Sequence, residues 1–188
     1  MRQALGLGLL LSVLLAGTAC GGGGGSTTGP APSPTPLAAS FVPVTNTPPS
    51  DSVAMAEGTK SGDVVTVKVN VAGVSSVYGG AFYVDYDPAQ GAFVGSTPGT
   101  ILEQGGNVPT YQVDDDPNTG TITVGASRTG NVSGVNVTSS QTLVNLTFRV
   151  KKTGTSAVSI QNPVLYDGGL PPKPIAGVTW LAGSLRGI

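Results

Sequence analysis

From about Phe41 onward, apolar residues return at every second position, the spacing of an extended strand with one face buried and the other solvated. In "DVVTVKVNV", Val65, Val67, Val69 and Val71 fall on one face, with Val64, Thr66, Lys68 and Asn70 on the other. In "AFYVDY" the inward set is Phe82, Val84 and Tyr86, which turns Ala81, Tyr83 and Asp85 outward. "TITVGAS" buries Ile122, Val124 and Ala126 and exposes Thr121 and Thr123. "LVNLTFRV" buries Val144, Leu146, Phe148 and Val150 and exposes Leu143, Asn145, Thr147 and Arg149.

Turn signals separate these runs, among them Ser61-Gly62-Asp63, Asp87-Pro88, Asn118-Thr119-Gly120 and Asp167-Gly168-Gly169. Between them no stretch of about ten residues keeps a helical period. Short strands at regular intervals predict an all-β fold, a two-sheet antiparallel β-sandwich. The segment "TNTPPSDSVAMAE" resists this reading, because Pro48-Pro49 interrupts any strand placed there.

Composition agrees with strands and turns. The 188 residues include 29 Gly and 15 Pro, and 10% are charged, where about 25% is usual. A net charge of -1 with no basic stripe argues against nucleic acid as a partner. The one cysteine, Cys20, has no partner for an internal disulfide.

Cys20 ends the segment "MRQALGLGLLLSVLLAGTAC", which has one positive residue, an apolar stretch and then small residues. That is the plan of an export signal, too short for a comfortable membrane span. It resembles a bacterial lipoprotein signal peptide over residues 1-19, which implies lipidation of Cys20; ordinary cleavage leaving a free thiol is the competing reading. Gly21 after the cysteine resembles the pattern of lipoproteins forwarded to the outer membrane of the bacterial cell envelope. The expected membrane contact is then the lipid anchor alone. Residues 20-40 read as a tether, of which the 16 residues "GGGGGSTTGPAPSPTP" span at most about 50 Å, and residues 41-188 as the folded domain.

The stretch "SGDVVTVKVNVAGVSSVYGGAFYVDYDPAQGAFVGSTPGTIL" is similar to the opening half of cohesin domains: a Gly-Asp turn, a valine-rich strand, then an aromatic strand ending in Tyr-Asp-Pro. "GTITVGAS", "TLVNLTFRVKKTGTSAVSI" and "LYDGG" follow in the family's order. The resemblance implies a jelly-roll sandwich of about nine strands, a fold shared with some carbohydrate-binding modules. It also implies a non-catalytic domain that docks dockerin-bearing proteins, often polysaccharide-degrading enzymes, through the sheet holding the Tyr-Asp-Pro strand. The chain departs from the family at Gly91, where a leucine is usual and Phe93 is expected to fill the space. The polar pair that the family presents early on this strand falls at Gly79 and Ala81.

Several residue sets compete for chemistry. Asp85 and Asp87 could share a face as an acid-base pair if the strand ran through both, but Asp87-Pro88 is also a turn opening that consumes its carboxylate. The chain has no histidine to assist them. Asp114, Asp116 and Asn118 alternate like calcium ligands, yet Thr119 and Gly125 stand where an EF-hand loop needs glycine and glutamate; a hairpin turn is the simpler reading. Arg149, Lys151 and Lys152 read as a charged edge and turn. Tyr83 and Trp180 are the aromatics that a sugar-binding strip would use, the alternative reading being a carbohydrate-binding module with a polysaccharide ligand. No cofactor is expected. The candidate binding face combines Ala81, Tyr83 and Asp85 with Thr121 and Thr123, and with Leu143, Asn145, Thr147 and Arg149.

Overall fold

Each alternating run becomes a strand, and eleven strands pair into two sheets in a computed structural model that describes residues 36–188. They are β1 (Ala39–Pro43), β2 (Ser52–Ser61), β3 (Val64–Ala72), β4 (Val77–Asp85), β5 (Gly91–Pro98), β6 (Thr110–Asp116), β7 (Thr121–Ser127), β8 (Gln141–Val150), β9 (Gly154–Asp167), β10 (Thr179–Leu181) and β11 (Gly183–Gly187). One sheet runs β1-β11-β9-β4-β7-β6 and the other β10-β2-β3-β8-β5. Neighbours are antiparallel except β10, which lies parallel to β2. The one helical turn among the described residues is a 3-10 turn at Gln104–Gly106.

The inner faces close on each other through the predicted inward sets. Val65, Val67, Leu146 and Phe148 of the five-stranded sheet are fully buried, as are Val84 and Ile122 of the six-stranded one. Phe148 receives Tyr86 and Phe93 edge-on, with centroids 5.6 and 6.0 Å away. Each such side chain contributes about 1.5–3 kcal/mol relative to exposure.

Four expectations are corrected. The strand count is eleven, not about nine, partly because the last segment changes sheet at Ala182, dividing β10 from β11. The domain starts before Phe41: Ala39 is buried and Leu37 packs on the core, so the end of the assigned tether belongs to the sandwich. Leu185 rather than Phe93 fills the space over Gly91, and a Cβ added at Gly91 would stand 2.5 Å from Leu185 Cδ2.

Leu143 is the fourth. It was expected outward and is instead fully buried. Val69 pairs with Val144 while Asn70 pairs with Thr142, so Leu143 is the extra residue of a bulge. A bulge breaks the strict period of two, and here two consecutive residues, Leu143 and Val144, turn inward. Leu143 reaches across the core, where its Cδ2 would lie 3.7 Å from a Cβ added at Gly80 of β4.

Candidate binding face

Four adjacent strands, β9, β4, β7 and β6, form one end of the six-stranded sheet, and their register sets the outward residues in rows. Tyr166, Gly79, Ser127 and Thr110 form the first row, and Val164, Ala81, Gly125 and Gln112 the second. Gln161, Tyr83, Thr123 and Asp114 form the third, then Ser159, Asp85, Thr121 and Asp116 the fourth. Successive rows stand about 6.7 Å apart, two residues along each strand.

The rows change character along the strands. In the first two, glycine and alanine hold the centre, leaving a groove of about 450 Å³ lined by Tyr78, Tyr166, Pro172 and Gln112 among others. A Cβ added at Gly125 would meet nothing within 4 Å, whereas one at Gly79 would come within 2.6 Å of the Ala126 carbonyl. Gly125 is therefore open floor, and Gly79 is required by close backbone packing.

The third and fourth rows are acidic. Asp85 Oδ1 accepts from Thr121 Oγ1 at 3.0 Å and Asp114 Oδ2 from Gln112 Nε2 at 2.7 Å. Asp116 Oδ1 accepts the Asn118 N–H at 3.0 Å, which holds its carboxyl below the ordinary range. Among the described residues the ion pairs are Lys60–Glu57 and Arg149–Asp63, and neither reaches this face. Asp115, between the outward aspartates, points in and accepts from Tyr86 Oη at 3.0 Å. Burial first, then that hydrogen bond, push the Tyr86 phenol up to about 12.

The sequence-derived face divides between two surfaces. Ala81, Tyr83, Asp85, Thr121 and Thr123 stand together in the second to fourth rows. Asn145, Thr147 and Arg149 do not join them, because β8 belongs to the five-stranded sheet and presents these residues on the opposite side of the sandwich. Leu143 lies in the core between. The outward residues of β9 and β6 were missed. Asn162, with φ 47°, and Pro163 interrupt the alternation of β9 where its register on β4 shifts, and β6 mixes half-buried and exposed positions.

The other candidates are also placed. Asp87 caps its own turn, accepting the Ala89 N–H at 2.8 Å on Oδ1, so it does not pair with Asp85. Asp116 to Gly120 is a hairpin turn, the Gly120 N–H reaching Asp116 O at 2.8 Å. No group of three or more acidic, histidine or cysteine residues able to hold a metal occurs among the described residues. Arg149 and Lys151 sit on and after β8, which is flanked by β3 and β5 and is not an edge strand. Trp180 packs on Phe82 at 5.4 Å, in the sheet opposite Tyr83, so the two do not line one strip. Cys20 lies outside the described residues.

Residues 51–184 match the family model described as the cohesin domain. Among solved structures, a type II cohesin from Bacteroides cellulosolvens is 17% identical with a TM-score of 0.59, covering 72% of this chain and 98% of its own. The type II cohesin dyad of the ScaA scaffoldin of Acetivibrio cellulolyticus is 20% identical with a TM-score of 0.59, covering 72% of this chain; the match spans about half of the dyad, 48%. The cohesin of a type I cohesin-dockerin complex from Clostridium thermocellum is 18% identical with a TM-score of 0.53, over 68% of this chain and 85% of that one. No curated protein sequence is significantly similar.

Proposed function

The chain belongs to the cohesin domain family, and from that premise we propose that it is a non-catalytic docking domain that holds a dockerin-type protein on the outer face of its six-stranded sheet. The observation that carries this reading is the four-strand face itself, with Tyr83 40% exposed between the glycine-floored groove and the acidic rows. An aromatic residue central to a patch is the usual anchor of an interface, and a polar rim completes the anatomy. The Clostridium thermocellum relative is a cohesin seen with a dockerin, which supports a partner of that class here.

The non-catalytic reading is supported by the carboxylates' situations. Asp87 is committed to a turn, and Asp116 has its carboxyl lowered by the Asn118 N–H, the reverse of what a proton donor needs. A link to polysaccharide degradation would come through the enzyme that the partner module carries. The anchor reading is supported by the signal pattern ending at Cys20: lipidation there would hold the domain on the cell envelope, on the outer membrane if Gly21 is read by the usual sorting pattern. Metabolic labelling with a clickable fatty acid tests it. Label lost in Cys20→Ser supports the anchor, and a wild-type chain that takes up no label overturns it.

Docking is tested by calorimetry of the full chain against a panel of purified dockerin modules. The expected result is binding that weakens about tenfold or more in Tyr83→Asp. Unchanged affinity in that variant, or no binding to any dockerin module, would overturn the reading.

A further inference from the structure

We infer that the partner is selected by one large apolar side chain seated in the Gly79-Ala81-Gly125 groove and by a lysine or arginine on the acidic rows about 13 Å away. This inference rests on the docking reading of the same face and specifies the chemistry of the occupant. The separation follows from the four residue steps from Ala81 to Asp85 along one strand, and it lies within the span of a single bound segment.

The groove is built for an apolar occupant. Its volume, about 450 Å³, falls in the range of pockets that take a compact ligand. The floor is backbone and Ala81, because Gly79 and Gly125 bring no side chain. The Tyr78 hydroxyl donates to the Gly130 carbonyl at 2.6 Å, which commits its polar end and leaves its ring to the lining. Thr110, Gln112 and Ser127 are the polar side chains of the lining beside the tyrosine hydroxyls, few for a ligand made of hydroxyls. Exposed apolar residues flank the groove on both sides. Val108 is 79% exposed two residues before Thr110, and Leu170 is 76% exposed two residues before Pro172. Apolar surface gathered around a concavity marks an interaction site more than scattered single residues do.

Charge supplies the second half. Asp85, Asp114 and Asp116 crowd the far rows, and among the described residues none of them enters an ion pair. Arg186 is on β11, and its register on β9 places it opposite Thr155, four residues beyond the Ser159 row. A like-charged partner would be repelled, and a basic one steered and oriented. An apolar end and an acidic end fix the direction in which a segment can lie.

The test is selection of a phage-displayed random peptide library on the full chain. Enriched peptides are then measured by calorimetry on wild type, Gly125→Trp, Ala81→Trp and Asp114→Lys. Gly125→Trp fills the groove from a position with free space, and Ala81→Trp is a second filler at an exposed site; variants that melt like wild type are compared. Enriched peptides should combine a large apolar residue with a lysine or arginine and weaken about tenfold or more on either tryptophan variant. Asp114→Lys should weaken them and flatten their dependence on salt. No enrichment, peptides without a basic residue, or unchanged affinity on both tryptophan variants would overturn the inference, as would an oligosaccharide or a second copy of the chain being the ligand displaced by groove filling. A dockerin module that Tyr83→Asp loses and both tryptophan variants retain would leave the docking reading standing and this inference refuted.

Discussion

Arg128, directly after β7, is 7% exposed, and no carboxylate pairs with it among the described residues. Its Nη1 donates to the Leu102 carbonyl at 3.1 Å and Nη2 to the Gln104 carbonyl at 2.8 Å, while Nε has no partner. The guanidinium thus fastens the 99–109 loop, which leads into β6, to the rim of the binding face. Arg128→Ala orphans two carbonyls, so a loss of about 1–3 kcal/mol is expected in urea unfolding, with faster hydrogen exchange in that loop.

Titration follows the same local logic. Asp115→Asn removes the charge beside Tyr86 and leaves only a neutral, weaker acceptor, so the phenol should titrate below its present value of about 12 in a phenolate absorbance titration. Tyr86 and Tyr111 are both raised to about 12, burial being the first cause for each. A raised acid stabilises the fold fully below its unfolded value near 10, and that contribution fades as pH climbs toward 12. Glu57 goes the other way. Burial would raise it, but the hydrogen bonds from Lys60 and from the Phe41 N–H, with the Lys60 charge, outweigh burial. Asp116 and Asp167 are lowered by backbone N–H groups, Asn118 and Lys173 first. Lowered carboxyls stabilise above their unfolded values near 4 and lose that contribution as pH falls through their folded ones. A melting-temperature profile should therefore be level through neutral pH, falling below about 4 and above about 10; a profile still flat at both extremes contradicts these assignments.

At the scale of the element, runs of unbroken alternation were legible: residues 64–71 of β3, 81–85 of β4 and 121–127 of β7 have the inward and outward sets that their sequence implies. Bulges defeat such a reading, since one extra residue reverses all that follows. Leu143 in β8 is the clear case. It looks like the next outward position and is core, so Leu143→Ala should cost about 2–5 kcal/mol, and a charged residue there would report on unfolding rather than on binding. In β9 the Asn162-Pro163 interruption hid four outward residues of the face. The Gly91 site shows how packing is shared between elements, with β11 supplying through Leu185 the bulk that β5 lacks. Gly91→Leu should destabilise by about 1–3 kcal/mol through overpacking, and Leu185→Ala should recover part of that loss in a double-mutant cycle. Full additivity would mean that the two residues do not compete for one space.

At the scale of the molecule, the sandwich presents two outer faces of different character. The five-stranded sheet shows Lys68, Arg149 and threonines; the six-stranded one shows a bare groove, Tyr83 and uncompensated aspartates. Alternation says which side of a strand is wet, not which sheet the strand joins, because sheet membership is fixed by pairings between distant segments. That is why Asn145, Thr147 and Arg149 read as neighbours of Tyr83 and lie on the other side of the molecule, while the β4 and β7 residues lie side by side on paired strands. The groove was equally hidden, since it exists only where Gly79 and Gly125, 46 positions apart in the chain, lie on adjacent strands.

The central claim is that a protein partner is held by the six-stranded face. The most direct measurement is calorimetric affinity of the full chain for a captured dockerin module in two matched variants, Tyr83→Asp on that face and Lys68→Asp on the opposite one. The account predicts a loss of about tenfold or more for Tyr83→Asp and near wild-type affinity for Lys68→Asp. The reverse pattern, with Lys68→Asp abolishing capture and Tyr83→Asp sparing it, would contradict it.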